Sequence, residues 1–239
     1  MELELERLVA TCRLLPQGRV RLVDDDLGLS RVPCYALAQD RTGRLWIGTE
    51  DGPVTFDGLA WTSHAGEIGA SGRVVRAFAL CDDGALWMAT GNDGLFLIDI
   101  RTVPYRVITH LTPADGLPSA TVHALHATRR GSLLAGTDAG IALVRAGRVE
   151  SCITPAEGLP HATVRAIAMD AQGVLWAGTD AGLVAIPDNQ PAVVYLCAGA
   201  AGAVAVRGLA AGDGGVVACL ADDPSFMPPG LRERHGYGA

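Results

Sequence analysis

The feature of this sequence that most limits its fold is a repeat of about 42 residues, which occurs five times. Each copy can be aligned on one anchor position, with one Gly three residues before it and another Gly eighteen residues before it. The anchors are Trp46, Trp87, Leu134, Trp176 and Val217. The two glycine sets are Gly43, Gly84, Gly131, Gly173 and Gly214, and Gly28, Gly69, Gly116, Gly158 and Gly199. Such a period indicates that one small structural unit is repeated along the chain.

Each copy reads as four short β-strands. In the fourth copy, apolar residues at a period of two predict strands at 164–169, 174–179, 183–186 and 193–196. Asp170 and Gly173 predict a hairpin turn between the first two, because Asp can accept from turn amides and Gly adopts a positive φ. Four short strands in about 40 residues are typical of a β-propeller blade. We therefore expect an all-β fold, a β-propeller with about five four-stranded blades.

The two ends of the chain leave the number of blades open. Residues 18–23 carry the pattern of an outer strand with no blade before it, and the fifth copy loses the pattern after Leu220. The predicted domains are an N-terminal extension at 1–17, propeller repeats at 18–225 and an irregular tail at 226–239. The N-terminal strand completes the last blade in a closed five-blade ring, whereas a truncated part of a larger propeller leaves the ring open.

Composition narrows the classes of function. The chain has 19 basic residues, all of them Arg, and a net charge of −7, which argues against a nucleic-acid partner. The absence of Lys removes Schiff-base chemistry. The first residues lack the basic and apolar segments of a secretory signal, and no apolar stretch is long enough for membrane insertion, so we expect a soluble chain. No cofactor and no metal site are predicted, since none of the six Cys forms a CxxC pair.

One position varies while its surroundings do not. Eleven residues before the anchor lie Tyr35, Arg76, His123 and Arg165, with Val206 in the fifth copy, and the residue before each is apolar. Because side chains alternate along a strand, this ring points away from the apolar neighbours and predicts a ligand-binding ring at the channel rim. Its cationic bias suits a small anionic molecule or an acidic peptide. The alternative is a set of solvated strand starts.

Other polar positions are assigned structural roles. The Thr that follows the anchor by three residues is expected to satisfy buried backbone groups, and the carboxylates after it, including Asp138 and Asp180, are interpreted as turn residues. His123, His126 and His161 come from adjacent copies and form no catalytic spacing, so no catalytic residue is predicted. Function as an enzyme would require His123 and His161 at one rim with carboxylates in hydrogen-bond reach.

The fourth copy resembles the two-component regulator propeller repeat. The residues that carry the resemblance are Gly158-Leu159-Pro160, Val164, Ile167, Asp170, Gly173, Leu175-Trp176, Gly178-Thr179 and Gly182-Leu183. In that family such propellers are usually the extracytoplasmic sensor part of membrane-bound histidine kinases. The resemblance implies a non-enzymatic sensor or interaction module whose partner is a histidine kinase or another signalling protein.

Two alternatives to an independent sensor remain open. The repeats are more loosely similar to seven-bladed streptogramin lyases, which implies a lyase or hydrolase, and the chain could equally be a truncated sensor fragment without a function of its own. The expected location is periplasmic for a fragment of a family-typical receptor and cytoplasmic if Met1 is the native N-terminus.

Overall fold

The residues that the computed structural model describes include four antiparallel sheets of four strands each. The described residues are 32–128, 131–187, 193–195, 198–199, 202–203, 205–212 and 215–220. From Pro33 onwards they belong to one unit. In each sheet the strands are hydrogen-bonded in chain order, which is the topology of a propeller blade.

The first two blades are completed by Leu111. Blade 1 contains β1 (Cys34–Gln39), β2 (Leu45–Thr49), β3 (Gly52–Phe56) and β4 (Trp61–Ser63). Blade 2 contains β5 (Val75–Leu80), β6 (Leu86–Thr90), β7 (Leu95–Asp99) and β8 (Arg106–Leu111). The short β4 follows a turn at Gly58, which has a positive φ of 99°.

Blades 3 and 4 repeat the arrangement. Blade 3 contains β9 (Val122–Ala127), β10 (Ser132–Thr137), β11 (Gly140–Arg145) and β12 (Arg148–Ile153). Blade 4 contains β13 (Val164–Met169), β14 (Leu175–Thr179), β15 (Gly182–Ile186) and β16 (Val193–Tyr195). The strands of blade 4 match the predicted ones to within one residue at each end, because turn residues mark each boundary.

The turn between the first two strands of a blade has the predicted chemistry. In blade 4, Asp170 Oδ1 accepts hydrogen bonds from the backbone N–H groups of Gln172 (3.0 Å) and Val174 (2.9 Å). Asp170 Oδ2 accepts a third from Trp176 Nε1 at 2.8 Å. Gly173 closes the turn with φ of 83°, a conformation that costs other residues a steric clash. The Asp, Gly and Trp of blade 4 therefore stabilise this turn together.

Three of the anchor residues, Trp46, Trp87 and Leu134, lie in apolar cores between neighbouring blades. Trp46 is fully buried against Val75 and Met88 of blade 2, and Trp87 packs with Val122 and Leu133 of blade 3. Leu134 of blade 3 is buried with Val164 and Leu175 of blade 4. These three anchors therefore fill the space between adjacent blades.

The GLP motif joins one blade to the next. In blade 3, Pro155–Glu157 form a single 3-10 turn after β12, and Gly158 ends it in the left-handed region with φ of 107°. Leu159 then enters the core between blades 3 and 4 and is 5% exposed. Leu117 does the same between blades 2 and 3. The Gly-Leu-Pro motif therefore has a structural role, because its Leu packs in the core between two blades.

The innermost strands pack side by side along the chain, β1 against β5, β5 against β9 and β9 against β13. β13 packs in turn against β19 (Val206–Gly212), which pairs with β20 (Gly215–Leu220), and β17 (Ala198–Gly199) pairs with β18 (Gly202–Ala203). The prediction of about five four-stranded blades is confirmed for four of them. Of the fifth, the described residues show the two-stranded hairpin β19–β20.

Among the described residues, no blade packs against the outer-facing side of β1, and this side is exposed. Leu37 is 69% exposed, whereas Ile167 at the same position of blade 4 is 8% exposed. Among the described strands, β1 and β19 do not pack extensively against each other. The outer strand predicted at 18–23 lies outside the described residues, as do the extension at 1–17 and the tail at 226–239.

Candidate ligand-binding rim

The predicted ring residues share an unusual backbone position. In blade 2, Val75 pairs with Thr90 and Ala77 pairs with Ala89, so Arg76 between them is the extra residue of a β-bulge. The same register shift places Tyr35, His123 and Arg165 in bulges of blades 1, 3 and 4. A bulge redirects the extra side chain, so strand alternation alone was the wrong reason for expecting these residues to point away from their neighbours.

The fifth member of the ring is Arg207 and not Val206. Val206 pairs with Leu220, as Val164 pairs with Thr179, and the shift between Val206 and Gly208 makes Arg207 the extra residue. Val206 is fully buried, like Val164, whereas Arg207 is exposed. Counting from the anchor missed this residue because the β19–β20 hairpin is one residue shorter than the others.

The Thr of each repeat satisfies the turn that follows it. Thr137 is fully buried, its Oγ1 donates to the carbonyl oxygen of Gly140 at 2.8 Å, and it accepts from the Ala139 N–H at 3.0 Å. Thr49 and Thr179 make the equivalent bonds. This confirms the prediction that these Thr side chains satisfy buried backbone groups.

The carboxylates that follow two of these Thr residues face the ring. Asp138 Oδ1 lies 2.6 Å from His123 Nε2, and Asp180 makes two bonds with Arg165, from Nε at 2.5 Å and from Nη2 at 2.8 Å. The hydrogen bond from Arg165 lowers the pKa of Asp180. Asp138 and Asp180 lie in turns as predicted. Thr makes the turn hydrogen bonds, however, and the two carboxylates pair with bulge residues.

Blade 2 differs from blades 3 and 4 at this carboxylate position. The Gly91 N–H donates to the Val74 carbonyl oxygen at 2.9 Å, as the Asp180 N–H donates to that of Thr163 at 3.4 Å, so the two backbones correspond. Gly91 has no side chain to offer Arg76. Within the described part of the chain, Arg76 forms no hydrogen bond or ion pair, and its Nε is buried without a partner.

The structure brings the ring residues together in two groups. The guanidinium carbon of Arg76 lies 5.9 Å from the centre of the Tyr35 ring, so blades 1 and 2 share a cation–π contact. In the second group, the charge of Asp138 acts on Arg165 of the next blade, and Arg207 acts on Asp180. The cationic bias expected from the sequence is thus largely neutralised in blades 3 and 4 and retained at Arg76.

The three histidines of adjacent copies do not form one cluster of the kind that catalysis would need. His123 has its carboxylate, but the Nδ1 of His161 accepts a hydrogen bond from the Thr163 N–H at 3.1 Å in its own loop. Burial lowers the pKa of His126, which lies further along β9. No group of three or more His, Cys, Asp or Glu residues within the described ranges is arranged to hold a metal ion.

A concavity that the sequence did not indicate lies away from the ring, at the opposite end of the inner strands. It is lined by the hairpins of blades 2 and 3, including Cys81, Asp83, Trp87 and Leu133. Burial, together with the charges of Asp83 and Asp82, raises the pKa of the Cys81 thiol to about 11. The thiol is therefore protonated at neutral pH and unreactive as a nucleophile.

The repeats have a recognised family. A family model described as two component regulator propeller matches residues 28–51 and 158–181. The chain carries two-component regulator propeller repeats. The predicted resemblance is therefore confirmed in the first and fourth copies, where the motif residues are most complete. No curated protein matches the chain in sequence.

Solved structures share the fold of these propeller repeats. The extracellular domain of a hybrid two-component system from B. thetaiotaomicron superposes with a TM-score of 0.70 and 22% identity, over 83% of this chain and 27% of that one. A second such domain from B. thetaiotaomicron gives a TM-score of 0.51 and 20% identity, over 83% and 32%. This chain thus spans a third or less of either domain, and these identities show likeness of fold alone.

A lyase has a related propeller. Virginiamycin B lyase from Staphylococcus aureus superposes with a TM-score of 0.60 and 12% identity, over 77% of this chain and 62% of the lyase. At this identity the likeness again concerns the fold. Function must therefore be argued from the residues at the rim.

Proposed function

We propose that this propeller is a non-enzymatic ligand-binding module of a two-component sensor. The observation that carries the proposal is the ring of bulge residues, Tyr35, Arg76, His123, Arg165 and Arg207, which differ from blade to blade while the surrounding framework stays constant. Bulges next to binding sites re-aim side chains, and residues that read a ligand vary where the scaffold does not. The two-component regulator propeller repeats support the same class of function.

The ligand class follows from the charges at the rim. Three of the five ring residues are Arg, and only two carboxylates, Asp138 and Asp180, pair with ring members in the described structure. The remaining positive charge at Arg76 and Arg207 favours a small anionic molecule or an acidic peptide, since Arg forms strong charge-assisted hydrogen bonds with oxyanions.

The proposed setting is a receptor with a histidine kinase or another signalling protein as partner, and with the propeller on the extracytoplasmic side. The fold shared with extracellular domains of hybrid two-component systems supports this setting. Within the described residues, no helix is long and apolar enough to cross a membrane.

A thermal-shift screen tests ligand binding. The wild-type chain is mixed with carboxylates, phosphates, sulfates and acidic peptides, and the midpoint of unfolding is measured against concentration. We expect at least one anionic compound to raise the midpoint, and the double variant Arg76→Ala plus Arg165→Ala to lose that effect, because ligand binding stabilises the folded state. The proposal is wrong if no compound acts or if the double variant responds as the wild type does.

A lyase activity is the second candidate, and one observation favours it. The 2.6 Å contact between His123 and Asp138 orients an imidazole at the rim, as a general base requires. Incubation with quinupristin, which is present in a structure of an inactive virginiamycin B lyase variant, followed by mass spectrometry tests this candidate. The sensor proposal expects no change in the compound, whereas conversion by the wild type that His123→Asn abolishes would favour the lyase.

A further inference from the structure

We propose that Arg76 and Gly91 form a subsite for one carboxylate group of the ligand, an inference that rests on the proposed ligand-binding function. In blade 4 the ring cation Arg165 receives its carboxylate from the chain itself, at Asp180. In blade 2 the equivalent position is Gly91, and Arg76 receives none. The ligand therefore provides the carboxylate that pairs with Arg76, as the chain's own Asp180 pairs with Arg165 in blade 4.

The correspondence between the two blades is structural. Arg76 and Arg165 are both the extra residues of β-bulges, each fifteen residues before the position that faces it. Gly91 and Asp180 both donate their N–H to the carbonyl oxygen of the residue two before the ring residue, Val74 or Thr163. A carboxylate at Gly91 would therefore reach Arg76, as that of Asp180 reaches Arg165.

A side chain at Gly91 would come directly against the Arg76 guanidinium, whose flexible end would have to shift to make room. A Cβ built on Gly91 would lie 2.9 Å from Arg76 Nε and 3.5 Å from Arg76 Nη2. These are the same two nitrogens that Arg165 presents to Asp180. Gly91 does not have the positive φ that would exclude a side chain, so the lack of a carboxylate there is a property of the sequence and not of the backbone.

The guanidinium of Arg76 is placed to receive a ligand. Its Nε is buried without a hydrogen-bond partner, and within the described residues the guanidinium forms no ion pair. A buried N–H without an acceptor is unfavourable, so a ligand oxygen that enters as the flexible guanidinium moves away from Gly91 recovers a bond that folding leaves unmade. The Tyr35 ring, which is 47% exposed, holds the guanidinium from the side of blade 1.

The planar fork of the guanidinium defines the ligand chemistry. Nε and Nη2 together match the two oxygens of a carboxylate, which is the geometry of the Arg165–Asp180 pair. The ligand class is therefore a carboxylic acid or an acidic peptide side chain, bound between blades 1 and 2 with Tyr35 beside it. Acetate is the smallest probe with this group.

Nuclear magnetic resonance of the Arg side chains tests the subsite. The Nε–H signals are recorded during titration with sodium acetate, with sodium chloride at equal ionic strength as the control, and Arg76→Gln identifies the Arg76 signal. We expect a saturable shift of the Arg76 signal with acetate only. The Arg165 signal should not respond, because Asp180 already occupies its fork.

Two matched variants test the role of the position that faces the ring residue. One gives blade 2 the carboxylate of blade 4, and the other removes that carboxylate from blade 4. Gly91→Asp should remove the acetate response of Arg76, weakening binding by more than about tenfold, because an internal carboxylate takes the same place. Asp180→Gly should give Arg165 an acetate response that it lacks in the wild type. Should Gly91→Asp fail to fold, the Asp180→Gly arm still tests the principle.

The outcomes separate this inference from the proposed function. An Arg76 signal that ignores acetate, that responds equally to chloride, or that responds alongside Arg165 in the wild type overturns the subsite. If an anionic compound from the thermal-shift screen still stabilises Arg76→Gln as it does the wild type, the propeller binds a ligand elsewhere and only the subsite is wrong. If no anionic compound binds at all, the proposed function fails as well.

Discussion

At the scale of single residues, the repeat motif is explained by hydrogen bonds within a turn. Asp170 accepts from two backbone N–H groups and from the Trp176 indole, and Asp40 makes the same bonds with Thr42, Arg44 and Trp46. These residues are close in sequence, so their contacts follow from local geometry. This is why the turn could be predicted correctly from the residue types alone.

The Trp176 hydrogen bond makes stability depend on pH in acid. It lowers the pKa of Asp170 below 3.8, the value in the unfolded chain. A carboxylate with a lowered folded-state pKa contributes stability that is complete above the unfolded pKa and is lost as the pH falls through the folded one. We expect Trp176→Phe to reduce the free energy of unfolding at pH 7, and the gap to the wild type to narrow below about pH 4 in urea unfolding.

Trp87→Phe is the matched control for this prediction. Its indole interacts with Cys81 in place of an Asp, and the pKa of that thiol is about 11. A thiol with this pKa does not titrate in acid, so the cost of Trp87→Phe should not change between pH 7 and pH 3. A gap for Trp176→Phe that stays equally constant would show that its bond to Asp170 does not influence the carboxylate.

At the scale of elements, the bulge and the blade interface decide what the repeat can do. From blade 2 onwards each described inner strand begins with a buried Val. Val75 and Val164, for example, pack against the second strand of the preceding blade at Gly48 and Gly136. The bulge residue follows immediately and points elsewhere. The buried Val that packs between blades and the ring residue of the candidate site are thus neighbours in one strand. The bulge directs their side chains to different places.

The close approach of blades at Gly136 predicts a cost for any side chain there. A Cβ on Gly136 would lie 2.9 Å from both Val164 Cγ1 and the Val164 carbonyl oxygen, so the blades would have to separate slightly. We expect Gly136→Ala to lower the free energy of unfolding by about 1–3 kcal/mol, as overpacking does. Urea unfolding monitored by Trp fluorescence gives the value.

Gly66→Ala is the control for Gly136→Ala. A Cβ on Gly66 would meet no atom within 4 Å, and the residue is exposed, so the change should stay within about 0.5 kcal/mol. Equal and small effects of the two substitutions would contradict the close blade contact at Gly136.

At the scale of the whole molecule, the first blade differs from blades 2 to 4 because, among the described residues, no blade packs against it from the side of its N-terminus. Leu37 is 69% exposed, and Phe78 and Ile167 at the same position of later blades pack in the interblade cores. Apolar residues at the same repeat position therefore differ in burial, and the repeat pattern does not reveal this difference.

This difference predicts unequal effects of equivalent truncations. Ile167→Ala should lower the free energy of unfolding by about 2–5 kcal/mol, since it removes a buried side chain from the core between blades 3 and 4. Leu37→Ala should change it by less than about 0.5 kcal/mol, because its side chain is already in solvent. A large cost for Leu37→Ala would show that another part of the chain or another molecule covers this face in solution.

Most residues of the candidate site could be predicted from the sequence. The ring of Tyr35, Arg76, His123 and Arg165 was predicted from a variable position in an otherwise constant repeat, and the structure places all four in equivalent bulges. Their partners were missed, although comparing two positions fifteen residues apart, Arg165 with Asp180 and Arg76 with Gly91, shows the pattern. Arg207 was missed because one hairpin is a residue shorter.

The sequence by itself determined the all-β repeat, the strand boundaries and the Asp-Gly-Trp turns, because these depend on residues that lie near one another in the chain. Only the tertiary structure decided which side chains face the rim, since a bulge is a property of two paired strands and not of one. It likewise decided that Arg165 is paired and that Arg76 is not, because a carboxylate fifteen residues away reaches the ring only once the two strands are in register.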